Sequence, residues 1–145
     1  MPTLAPTPLE EAYMDFVEFI MLTKQRLFVC SASHGLTGMQ AIALCLLNKP
    51  RPMNNFGKVF NCDPSNVTGI VDGLVQKGLV ERYEDSKDRR IKMVKLQRKG
   101  SVVRTTLLHD LFGASSIVSR KLSPIEVDDF TKLISKITRD ELSFI

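Results

Sequence analysis

Apolar residues recur at helical spacing near both ends of this chain and alternate over a short stretch in the middle. Leu9, Ala12, Tyr13, Phe16, Val17, Ile20, Leu27 and Phe28 fall on one broad stripe, which predicts a long first helix. Val127, Phe130, Leu133, Ile134 and Ile137 predict a last helix in the same way. Polar punctuation marks where helices begin. Thr7-Pro8-Leu9-Glu10 and Ser123-Pro124-Ile125-Glu126 are capping boxes with proline at the first helical position. In each, the hydroxyl accepts from a free backbone N–H while the glutamate reaches back to the cap. Thr37-Gly38-Met39-Gln40 is a weaker third copy.

Three short helices are expected between Leu36 and Gly78. The first, Thr37–Leu47, stops before Pro50 and Pro52. The second, Met53–Phe60, turns Phe56, Val59 and Phe60 inward. The third, Pro64–Lys77, follows a tight turn at Asn61-Cys62-Asp63, with Asp63 as its cap and Gly78 as a left-handed stop. Its apolar positions Val67, Ile70, Val71, Leu74 and Val75 make one buried face. The other face carries Ser65, Thr68, Gly69, Asp72, Gly73 and Gln76, with Asn66 at its flank. Two alternating runs, Leu79–Glu84 and Ile91–Leu96, then bracket a charged tip as a β-hairpin, and a helix from Arg98 to about Ser119 follows. The expected fold is mainly α with a small β-hairpin wing, a winged helix-turn-helix between long N- and C-terminal helices. At 145 residues it is one domain.

Charge sharpens this picture because it is uneven. Residues 1–50 carry a net −1, residues 51–100 a net +5, and residues 101–145 none. Seven of the thirteen residues from Lys87 to Lys99 are basic, opposed only by Asp88. A ribbon with such a tip suits a phosphate backbone or a minor groove. The helix before it presents short polar groups and glycines that a major groove would admit.

Other chemistry is not indicated. Cys30, Cys45 and Cys62 are odd in number and lack CxxC spacing, which argues for a reducing cytoplasm and against a disulfide framework or zinc site. His34 and His109 stand apart in sequence, so no metal and no cofactor is expected. No nucleophile–base pattern suggests an enzyme. The N-terminus lacks the pattern of a signal peptide, and no apolar run is long enough for a membrane span. One thiol invites a sensing role: Cys62 precedes the cap of the third short helix, where a helix dipole favours thiolate. Buried structural thiols are the commoner case for all three cysteines.

The residues of this region resemble the MarR family of transcriptional regulators. The likeness runs through Leu36-Thr37-x-x-Gln40, Ser65-Asn66-Val67-Thr68, Val71-Asp72-x-Leu74 and Gln76-Lys77-Gly78-Leu79-Val80-Glu81-Arg82. It ends in the wing at Asp88-Arg89-Arg90-x-x-x-Val94-x-Leu96. The family's wing reads D-x-R, five residues, then L-T; here Gln97 replaces the threonine, forgoing a helix cap at about 1 kcal/mol.

The resemblance implies a homodimer on a pseudo-palindromic operator, more often a repressor, with residues 36–100 as the DNA-binding lobe and 8–33 and 101–145 as the dimerisation region. It implies Ser65, Asn66, Thr68 and Gly69 at the major groove, and Lys87, Arg89, Arg90 and Lys92 at the wing, with Asp88 positioning an arginine. Burial in the dimer would also account for the apolar tail Leu142-Ser143-Phe144-Ile145. A small aromatic or phenolic effector between the dimer helices and the lobe is a further implication, and no residue identifies it. Where the family often has arginine this chain has Gly69, so grip should shift toward the wing. That weakly charged helix leaves two rivals open: a winged-helix protein-interaction module without specific DNA binding, and a cysteine-based redox sensor.

Overall fold

The three capping signals all close as hydrogen bonds in a computed structural model, which describes residues 5–113 and 116–139. Thr7 caps α1 (Pro8–Ser33), with the Glu10 carboxylate accepting from Thr7 N at 2.7 Å. Ser123 caps α7 (Pro124–Thr138) through Glu126 in the same manner, at 2.8 Å. Thr37 and Gln40 exchange both bonds at 3.2 Å and start α2 (Gly38–Leu46). The Gln40 box, the weakest on paper, is fully formed. Thr37→Ala is expected to cost about 1 kcal/mol, read as a lower urea midpoint at unchanged slope.

The remaining elements are β1 (Arg51–Pro52), α3 (Met53–Phe60), α4 (Pro64–Gln76), β2 (Val80–Glu84), β3 (Lys92–Leu96), α5 (Arg98–Phe112) and α6 (Ile117–Lys121). Strands β2 and β3 form the expected antiparallel hairpin, in register Val80 with Leu96 through Glu84 with Lys92. Strand β1 was not expected. It pairs Arg51 with Val94 and Pro52 with Met93, giving a sheet in the order β1-β3-β2. Two residues ending in proline carry no alternation to read; β3 supplies the pairing.

One core unites α2, α3, α4, the sheet and α5. Leu44, Leu47, Phe56, Val71, Leu74, Val80, Val94 and Leu107 are at most 2% exposed within it. Two arginines secure the end of α2 from outside, where carbonyls lack helical partners. Arg51 Nε donates to Leu46 O at 2.7 Å, and Arg104 Nε donates to Cys45 O at 3.1 Å.

The long helix expected to run to Ser119 is instead broken. Helix α5 ends at Gly113, and Ser116 caps a new short helix by accepting from Ser119 N at 3.1 Å. A serine immediately before the apolar pair Ile117-Val118 offers the backbone this alternative to continuing. The tail at Leu142–Ile145 lies outside the described residues.

Helices α1 and α7 stand partly outside the core. Leu9, Tyr13, Phe16, Val17 and Ile20 are exposed on α1, and Ile125, Leu133 and Ile137 on α7. Helix α7 has no buried residue. The two helices touch through Phe19 and Phe130, edge to face at 6.0 Å between ring centroids. No single described helix is long and apolar enough to cross a membrane.

Candidate nucleic-acid interface

The turn between α3 and α4 is made by Asn61, which adopts the left-handed conformation at φ 48°, while Cys62 N donates to Gly57 O. Helix α4 follows with Asp63 at the cap position, but the Asp63 carboxylate makes no cap hydrogen bond. Pro64 at the first position is what starts the helix. At the other end Gly78, at φ 68°, closes a Schellman motif: Gly78 N bonds Val75 O and Leu79 N bonds Leu74 O. Val67, Val71 and Leu74 bury the inner face, as their spacing predicts. Ser65, Asn66, Thr68 and Gly69 are all exposed on the outer face.

The two glycines of α4 differ. A Cβ at Gly69 would meet nothing within 4 Å. At Gly73 it would lie against Gln40 Nε2, so Gly73 is a crossing point for α2 rather than part of an open polar face. Asp72 is also not a free acid, because Arg82 of β2 pairs with it at 2.6 Å. That pairing offsets the negative charge on this side of α4.

The wing tip is built by two aspartates. Asp85 Oδ1 accepts from Lys87 N at 2.8 Å and Asp88 N at 3.1 Å, shaping the turn. Nothing in the sequence analysis singled Asp85 out, although an aspartate opening a turn is a readable signal. Asp88 then holds Arg90 in a fork: Oδ1 accepts from Arg90 Nε at 3.0 Å and Oδ2 from Arg90 Nη2 at 2.9 Å. These bonds keep the Asp88 carboxyl below the usual carboxylate range. The Arg90 side chain remains 91% exposed, so it is aimed and open at once.

The basic ribbon is less free than its composition suggests. Lys92 pairs across the strands with Glu84 at 2.6 Å, and Lys95 with Glu81 at 2.8 Å. Lys99 Nζ donates to Lys77 O at 3.0 Å, at the end of α4. Lys87 and Arg89 are exposed at the tip and make no side-chain ion pair among the described residues. Helix and wing come together across a cleft of about 600 Å³, lined by Lys58, Pro64, Thr68, Arg90 and Lys92 among others. The tertiary fold thus sets Thr68, Arg90 and Lys92 on one concave surface with Lys58, whereas Ser65, Asn66, Gly69, Lys87, Asp88 and Arg89 do not line it.

Cys62 lines this cleft, while Cys30 and Cys45 sit elsewhere. Burial pushes the Cys30 and Cys45 thiols up from their ordinary range, and Asp110 adds to the effect at Cys30. Both changes work against a reactive thiolate.

A MarR family model matches residues 39–92. A search of curated protein sequences finds no match. Among solved structures, a MarR-family transcriptional regulator from a Rhodococcus species superposes with a TM-score of 0.74 at 17% identity, covering 92% of this chain and 97% of that one. The transcriptional regulator BldR from Sulfolobus solfataricus does so at 0.68 and 23% identity, covering 90% and 99%. A mutant of MarR from E. coli, complexed with operator DNA, does so at 0.63 and 24% identity, also covering 90% and 99%. The match over residues 39–92 marks a MarR-like segment, and the chain as a whole has the winged-helix fold of these transcriptional regulators.

Proposed function

We propose that this protein is a cytoplasmic, homodimeric repressor that binds a pseudo-palindromic operator, with α4 in the major groove and the wing, residues 85–92, in the minor groove. The observation that carries this reading is the shared cleft between the exposed polar end of α4 and the Asp88-held Arg90. Ser65, Asn66, Thr68 and Gly69 face the bases, while Lys87, Arg89, Arg90 and Lys92 supply charge. The fold is shared with a protein crystallised on operator DNA, and members of the family regulate transcription rather than catalyse reactions.

The dimer is supported by what a single chain leaves exposed. An amphipathic helix with no buried residue, such as α7, gains little from folding alone. Together with the apolar face of α1 it leaves an exposed apolar surface that a second copy would cover. For an effector, a cleft of about 640 Å³ bounded by Phe19, Leu27, Ile42 and Phe130 has room for a small aromatic molecule.

The test is a mobility-shift titration against the promoter of the protein's own gene, with competitor DNA. A retarded complex of two chains per duplex that survives excess competitor is expected. Binding no tighter than to competitor would instead favour the interaction-module reading.

Gly69→Arg provides a second test of the same face. The site is open, so the substitution should raise affinity for unrelated DNA and steepen the log-log salt slope by about 0.9. An unchanged slope would place this face away from DNA.

A further inference from the structure

Cys30, His34 and Asp110 meet where the end of α1 lies against α5. Cys30 and His34 are one helical turn apart, and His34 is the cap residue that closes α1. The Cys30 thiol sulfur, a His34 ring nitrogen and an Asp110 carboxylate oxygen all lie within 4.8 Å of one another. All three residues are half-buried. The arrangement is braced from both helices. His34 Nε2 is 3.0 Å from Asp110 Oδ2, and Arg26 Nη2 donates to the Asp110 backbone oxygen at 2.9 Å. His109 Nδ1 lies 3.6 Å from Asp110 Oδ1, on the outer side of the same carboxylate.

We propose that Cys30, His34 and Asp110 form a binding site for a zinc-like divalent transition metal that ties α1 to α5. The donor set selects the class of ion. A thiolate with an imidazole and one carboxylate suits zinc, whereas calcium and magnesium require oxygen ligands. Around a tetrahedral zinc, with bonds of about 2.0–2.3 Å, ligand atoms stand roughly 3.3–3.8 Å apart. His34 Nε2 and Asp110 Oδ2, now 3.0 Å apart, would separate slightly, and contacts near the 4.8 Å limit would close by about 1 Å, both within the range of a side-chain adjustment.

On binding, the Sγ–H bond of Cys30 breaks, sulfur keeps the electron pair and gives it to the metal, and the proton leaves to solvent. His34 Nε2 donates its lone pair with the ring proton held on Nδ1, and Asp110 Oδ2 exchanges its contact with His34 for the metal. Thiolate and carboxylate together balance the two positive charges of the ion. Water, or His109 after rotation, completes four-coordination. An ordinary histidine–aspartate pair beside a structural thiol would show the same contacts without affinity for metal, and the two are separable by experiment.

The measurement is cobalt(II) titration of the metal-free full-length protein by absorption spectroscopy, followed by zinc competition with a chromophoric chelator. A thiolate-to-cobalt charge-transfer band with tetrahedral ligand-field bands is expected, displaced by zinc. Cys30→Ser should lose the charge-transfer band, and Cys45→Ser and Cys62→Ser should keep it. His34→Gln and Asp110→Asn should each weaken zinc binding by at least about tenfold. Absence of the band in the unmodified protein, its persistence in Cys30→Ser, or unchanged zinc affinity in both other variants would overturn the site. This readout is independent of DNA binding, so it stands or falls separately from the proposed function.

Discussion

Gly100→Ala is expected to destabilise the fold by about 3 kcal/mol or more, at the upper end for overpacked sites. A Cβ there would fall 1.8 Å from Leu79 O and 2.8 Å from Leu79 C, both main-chain atoms that cannot rotate aside. Leu79 cannot retreat easily either. Its carbonyl accepts from Gln97 N at 2.9 Å, and its N–H closes the Schellman turn onto Leu74 O at 3.0 Å. Its side chain is 3% exposed in the core. Relief therefore requires moving the first turn of α5 away from the end of α4, which opens the junction between α4 and the β2–β3 hairpin. The usual gain of about 1 kcal/mol from replacing glycine by alanine in a helix is too small to offset this. Chemical denaturation is the measurement, with Gly69→Ala as the control: its Cβ meets open space, so it should show only the propensity gain. Equal or greater stability for Gly100→Ala would mean that the contact with Leu79 is not what packs α5.

Arg90→Ala is expected to weaken operator binding by about 1–3 kcal/mol, roughly 5- to 150-fold. Loss of a cation accounts for part of this, since each neutralised phosphate contributes to the salt slope. The remainder comes from pre-organisation. The fork with Asp88 holds the guanidinium outward before DNA arrives, so less rotamer freedom is lost on insertion. This separates two explanations of the wing. If charge alone mattered, Asp88→Ala would raise net charge by one and bind more tightly. With Asp88 as positioner, Asp88→Ala should bind the operator more weakly while its affinity for unrelated DNA is kept or raised. Fluorescence anisotropy with operator and scrambled duplexes distinguishes these outcomes. Unchanged operator affinity in Arg90→Ala would remove the wing from the interface.

Both predictions concern places where the sequence could be read only in part. The D-x-R wing pattern was legible, and the fork that it forms spans two residues, so local geometry suffices to make it. Three capping boxes and the exposed end of α4, at Ser65, Asn66, Thr68 and Gly69, were legible for the same reason, whereas Asp72 and Gly73 proved to be engaged by Arg82 and Gln40. The β1 strand was not, because its pairing with Val94 is supplied from across the sheet. Nor was the partial neutralisation of the basic ribbon, since Lys92 and Lys95 find Glu84 and Glu81 only through the hairpin register. The end of the helix after the wing was misplaced, because Gly113 and Ser116 offer a break that apolar periodicity does not register.

The glycines show the difference most directly. Gly69, Gly73 and Gly100 look alike in sequence, yet one faces open space, one meets Gln40 and one touches the Leu79 backbone. The same holds for His34, which stands alone in sequence and beside Cys30 and Asp110 in space, the latter 76 residues away. What the sequence alone determined was whatever depends on neighbours within a turn or two: helix starts, buried faces, the turn into α4 and the charged tip. The tertiary structure decided which polar groups are paired, which glycines are crossings and which distant side chains share a site. Those depend on chain segments brought together by burial of a common core, and no local spacing records where that core places them.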